Sequence, residues 1–205
     1  TLFLLRSNIK GTVNTVNVAP QKEEGVTEVV TPVVEIETAE NSNISEVKVE
    51  ESTDLKLTGE KETAVKVTVE ENAVNTKLTA EVPVKADLSA NTTVTLAEDA
   101  KNSEITLSKK VDVEVKAADA EKAVEDVTIN VAKEAEGASL KTEVKAEIKA
   151  EANVTITLDK TAQDSTVTVT DENVKVEVEK TDEDGNVSKE EITSTPTPAP
   201  APDTT

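Results

Sequence analysis

Between Asn43 and Ile192 apolar and polar residues alternate with period 2, the spacing that sends one side of an extended chain inward and the other to water. The plainest segments are Val47–Val49, Leu55–Leu57, Val65–Val69, Val94–Leu96, Val111–Val115, Val127–Val131, Val154–Leu158, Thr166–Thr170 and Val174–Val178. Each predicts a strand with one buried face, and the outward Lys, Glu, Asp and Thr keep the other face solvated and blunt the edges. Connectors such as Ala97–Ser103 and Asp159–Ser165 are rich in Glu, Asp, Asn, Ala and Lys. Grouped in pairs, the strands recur about every 18 to 22 residues, within the range of solenoid repeats.

A few segments depart from this rhythm. Ala117–Glu125 carries good helix formers and predicts a short helical turn between strands. Leu140–Ala150 mixes helix-friendly residues with alternating Val144, Ala146, Ile148 and Ala150, and is read as a strand. Asp182-Glu183-Asp184-Gly185-Asn186 separates two alternating runs and predicts a hairpin through its Asp-Gly signal. Near the start, Gly11–Ala19 reads as strand and Pro20–Gly25 as a weak break. After Thr193 the text becomes Pro-Thr-Pro-Ala-Pro-Ala-Pro, which predicts an extended, disordered, semi-rigid spacer.

Composition narrows what such strands can enclose. Val and Thr number about 30 each, Phe3 is the single aromatic residue, and Gly is 5 of 205. An interior made of small branched side chains is thin, as in a narrow stack of strands rather than a broad globular centre. The chain has no His, Cys, Met, Trp or Tyr. A His base, a Cys nucleophile, a Ser/His/Asp triad, a disulfide framework and a Cys/His zinc site are therefore all excluded. The net charge of −20 makes nucleic acid and anionic membranes poor partners and favours solubility. No run approaches the length of a membrane-spanning helix, and a sequence without Met reads as a processed or excised piece.

With those residues in view, Gly11–Ala19, Asn91–Leu96 and Asn153–Leu158 resemble the Val/Thr/Asn/Ala-rich rungs of bacterial cell-surface β-solenoids, which often precede Pro/Thr-rich wall spacers like residues 193–203. The likeness is one of texture across much of residues 9–192. It implies a structural or adhesive surface role, with an extracellular or cell-surface location, and transfers no catalytic residue.

Candidate chemistry is sparse. The acidic clusters Glu23-Glu24, Glu50-Glu51, Glu70-Glu71, Asp182–Asp184 and Glu190-Glu191 could in principle supply paired carboxylates for glycoside hydrolysis, but the aromatic platforms that hold sugars are missing. Solvated faces are the expectation. Asp182, Asp184, Asn186 and Glu191 offer hard oxygens for calcium, yet Lys180 stands where an EF-hand loop would begin, so at most weak calcium association is expected. A β-helix lyase would need basic residues along one face, and Arg6 is the single Arg. Thr166–Thr170 suggests an ice-binding ladder that does not recur in register. The sequons at Asn43, Asn91, Asn153 and Asn186 exceed the two to three expected by chance too slightly to carry information. Leu2-Phe3-Leu4-Leu5 reads as a first core strand, or as a strand able to add to a neighbouring subunit.

The expectation is thus an all-β, elongated, degenerate β-solenoid over residues 1–192, with 20–45 looser, followed by a Pro/Thr-rich extended linker over 193–205. About nine rungs would make a rod roughly 45 Å long. Tandem β-sandwich modules are the alternative fold. The expected role is a non-enzymatic stalk, layer or filament component of a bacterial surface or extracellular protein. A ligand- or partner-binding adhesin module is the alternative, and a polysaccharide-active β-helix enzyme comes behind both. No catalytic, cofactor-binding or metal-ligating residue is assigned, and no cofactor. Expected partners are neighbouring domains of a longer chain and further copies through the N-terminal strand.

Overall fold

A computed structural model describes residues 4–9, 12–18, 31–38, 43–60, 63–182 and 184–194. Pro20–Gly25, Glu23-Glu24 and the tail beyond Ser194 lie outside the described residues, as do Leu2 and Phe3. Among the described residues eighteen strands follow one another. The odd ones are β1 (Leu4–Ile9), β3 (Val33–Thr38), β5 (Asp54–Gly59), β7 (Thr76–Ala80), β9 (Thr92–Leu96), β11 (Asp112–Ala117), β13 (Ala138–Thr142), β15 (Val154–Leu158) and β17 (Lys175–Thr181). The even ones are β2 (Thr12–Val18), β4 (Asn43–Val49), β6 (Val65–Val69), β8 (Val84–Leu88), β10 (Glu104–Leu107), β12 (Val127–Val131), β14 (Ala146–Ala150), β16 (Thr166–Val169) and β18 (Val187–Thr193).

The odd strands stack in sequence order into one sheet that ends in β18, and β2 to β16 stack into a second sheet. Among the described residues every pairing is parallel except β17 with β18, so the chain winds as a two-sided β-solenoid. Tandem sandwiches, built from antiparallel strands, do not describe it. Eight steps of about 4.8 Å separate β1 from β17, a rise of about 38 Å.

The period-2 pattern places Val, Ile, Leu and Ala between the sheets in vertical columns. Val47, Val67, Ala86, Ile105, Ile129, Ile148 and Val167 lie one above the other in one sheet. In the other, Leu78 lies under Val94 and Val94 under Val115. The largest fully buried side chains are all Ile or Leu, so the interior is as thin as the missing aromatics imply.

The corners are built with equal regularity. Asn75, Asn102 and Gly137 turn the chain with φ of 63°, 60° and 75°, a left-handed conformation that Gly adopts freely and Asn tolerates. Just before them sit Ala73, Ala100 and Ala135, each fully buried.

These corners reveal a repeat longer than one rung. Val65 and Val127 are 127 − 65 = 62 positions apart, and the same offset joins Ala73 to Ala135, Leu78 to Leu140, Asn91 to Asn153, Leu96 to Leu158 and Ser103 to Ser165. The bounds of β6 to β10 recur at that offset as those of β12 to β16. Two three-rung units, 63–124 and 125–186, therefore follow each other in the rod.

Two local expectations are corrected. Ala117–Glu125 forms no helix: β11 runs to Ala117, and a turn follows in which the Lys122 N–H donates to the Asp119 carbonyl at 3.1 Å. The corner geometry overrides the helix propensity of that stretch. Leu140–Ala150 is two strands, β13 and β14, broken at Glu143–Lys145, where Val144 turns inward and is buried. The hairpin at Asp182–Asn186 is present, closed by the Asp182 N–H donating to the Asn186 carbonyl at 3.0 Å.

Candidate functional site

Parallel in-register stacking puts the outward side chains into columns about 4.8 Å apart, close enough for charges on successive rungs to meet. Glu46 lies 2.9 Å from Lys66, Asp54 3.4 Å from Lys77, Lys56 2.8 Å from Glu81, and Lys48 2.9 Å from Glu70. Glu114 meets Lys116 and Lys141, each at 2.9 Å. These hydrogen-bonded ion pairs hold the Glu114 carboxyl below the usual glutamate range and raise Lys141. Glu46 is lowered first by the Thr68 hydroxyl, which donates to it at 2.5 Å, and then by Lys66.

The acidic clusters are absorbed in this way. Glu50 and Glu70 share Lys48, while Glu190 and Glu191 face Lys180 and Lys175 from β18. The carboxylate of Asp182 accepts hydrogen bonds from the N–H groups of Asp184 and Asn186 and from the Asn186 side chain, which lower its pKa and tie it into the turn. Among the described residues no group of three acidic side chains is placed to hold a metal ion.

Asn91 and Asn153 have a structural use. Their side-chain carbonyls accept the backbone N–H of Asp112 at 2.9 Å and of Lys175 at 2.6 Å, one rung further on. Their backbone carbonyls accept from Asn75 and Gly137, each at 2.8 Å. The Thr rows are short: Thr93 and Thr95 on β9 and Thr155 and Thr157 on β15 are separated by β11 and β13, whose outward residues include Glu114, Lys116 and Lys141. No broad flat Thr array results.

An open groove of about 360 Å³ crosses the outer face of the odd-strand sheet. It forms because Thr93, a short side chain, sits between Lys77 and Glu114 in one column. Asn91, Asp112 and Lys141 complete its rim, so it is polar, mixed in charge and shallow. Sequence reasoning missed it, since a depression made by a short residue between two long ones exists only once rung register is known.

No described helix is long and apolar enough to cross a membrane. Compared with known proteins, the chain matches no family model, no curated protein and no solved structure.

Proposed function

We propose that the chain is a non-enzymatic structural rod, a stalk, layer or filament module of a bacterial surface or extracellular protein that holds neighbouring domains apart. The observation that carries this reading is the continuity of the two sheets. A parallel ladder runs through the described rungs and ion pairs such as Glu46–Lys66 and Lys48–Glu70 tie neighbouring rungs together, so each rung is braced by the next. The Pro/Thr-rich composition of residues 193–205 suits a spacer role, and the acidic surface keeps copies apart and soluble. Neighbouring domains are the main partners, and a second copy can pair through the N-terminal strand.

The Thr93 groove favours one second reading, an adhesin that binds a polar ligand on the odd-strand sheet. A length experiment separates the two. Inserting one more 62-residue unit between residues 124 and 125 adds three rungs, about 14 Å. For a spacer, attachment or reach of the parent protein tracks rod length, and substituting Thr93→Lys to fill the groove leaves it unchanged. Function lost on filling the groove but indifferent to length would reject the spacer role in favour of the adhesin.

A further inference from the structure

The two ends of the odd-strand sheet differ. At one end of the described sheet β1 pairs with β3 in parallel, as successive odd strands do up to β17. At the other the chain reverses, and β18 adds in the single antiparallel pairing of the rod. Residues directly opposite each other in an antiparallel pair share a face. Val178 lies opposite Glu190 and Lys180 opposite Ser188, so β18 sends Ser188, Glu190 and Ile192 toward the interior side.

The inner columns therefore change character at this edge. One climbs through Val113, Leu140, Ile156 and Val178 and ends at Glu190. Its neighbour climbs through Val115, Thr142 and Leu158 and ends at Lys180 and Ser188. Lys180 and Glu190 stand 3.7 Å apart as an exposed ion pair over the end of the core. A further rung would bury both charges, and on the outer face it would meet Lys189, paired with Glu177 and Glu179.

The sequence explains why the winding stops. Every buried even strand presents apolar residues at alternate positions, whereas Val187-Ser188-Lys189-Glu190-Glu191-Ile192 supplies no such face in either register. The Asp182–Asn186 turn folds the segment back on β17 instead. Inward-pointing charge on an edge strand blocks edge-to-edge growth, and solenoids need polar terminal units to stay soluble.

We infer that the β17–β18 hairpin is a terminator: by placing Lys180 and Glu190 over the core it prevents β1 of a second copy from continuing the odd-strand sheet. This goes beyond the rod reading and holds whether the chain is a spacer or a binder. Its consequence is that copies cannot grow head to tail across the β18 edge.

Two variants test it. The first, Lys180→Leu with Glu190→Val, replaces the ion pair by apolar residues and keeps the hairpin. The second ends the chain after Thr181. Mass is followed by light scattering over a hundredfold concentration range. The unmodified chain is expected to level off no higher than a dimer, while at least one variant grows past it by more than twofold without a plateau. Removing residues 1–9 from the growing variant should return it to the plateau, because β1 is the strand that adds. The terminator is overturned if both variants keep the plateau of the unmodified chain, if the unmodified chain itself grows without limit, or if growth survives loss of β1.

Discussion

The 62-residue duplication sets up a stability experiment with an internal control. Ser103 is almost fully buried, and its hydroxyl donates to the Ala100 carbonyl at 2.6 Å while accepting the backbone N–H of Val84, one rung away, at 3.1 Å. Ser165, its repeat partner, accepts the N–H of Ala146 at 3.0 Å, but beside β16, at the end of its sheet, where it is only half-buried. Substituting Ser103→Ala removes the acceptor from an N–H on a fully buried residue, shielded from solvent. An orphaned buried donor costs about 1–3 kcal/mol. At Ser165→Ala water reaches the gap, so the loss is that of an ordinary exchanged hydrogen bond, about 0.5–1 kcal/mol. With no Trp or Tyr to report, unfolding is followed in urea by far-ultraviolet circular dichroism. The expected result is a lower midpoint for both variants, with the Ser103 shift at least twice that at Ser165. Equal shifts, or a larger one at Ser165, would refute the claim that buried corner hydroxyls tie the rungs together.

Three further substitutions probe the core, a corner and the outer columns. Ile129→Ala, in the column between Ile105 and Ile148, should cost about 3–4 kcal/mol in the same titration, because a thin interior cannot collapse around the cavity. Gly59→Ala should be strongly destabilising, since φ is +129° and an added Cβ would overlap the Thr38 carbonyl oxygen; wild-type-like unfolding would contradict the close approach drawn there. Glu114→Gln tests the ion pairs through pH. The folded carboxyl titrates below its unfolded value of about 4.3, so its contribution is present above that value and is lost as the pH falls through the folded one. Stability measured from pH 7 to pH 3 should therefore fall less steeply in Glu114→Gln than in the unmodified chain, and identical slopes would mean the pairs with Lys116 and Lys141 contribute nothing.

Most of the strands were legible because alternation is a local property. Val65–Val69, Val127–Val131 and Val154–Leu158 announce themselves with three apolar residues at every second place, and they lie on the rod as read. Thr76–Ala80 and Val84–Leu88 did not, for their inward positions include Thr76, Ala80 and Ala86, small residues that count as apolar only when the facing column is known. The helix expected over Ala117–Glu125 failed for a related reason. Helix propensity is weak, and a corner that must deliver Val124 to the core and Asp126, at φ of 55°, to the next strand outweighs it.

The duplication was harder to see because selection for fold acts on few of its positions. Outward residues differ between the two units: Lys85 faces Glu104 across one step, while its counterpart Glu147 pairs along its own strand with Lys149. What stays is what geometry forbids to vary. Ala73 and Ala135 are small residues fully buried at the corners, Asn91 and Asn153 cap the following rung, and Ser103 and Ser165 satisfy an N–H that alternation leaves over. A search confined to hydrophobic period sees the strands and misses the unit, because the unit is written in the corners. The same reasoning separates the chain's two ends. The Val-rich rungs could be followed by another in any register that matched the columns, and the run from Val187 to Ile192 ends the rod by offering neither an apolar face nor a neutral edge.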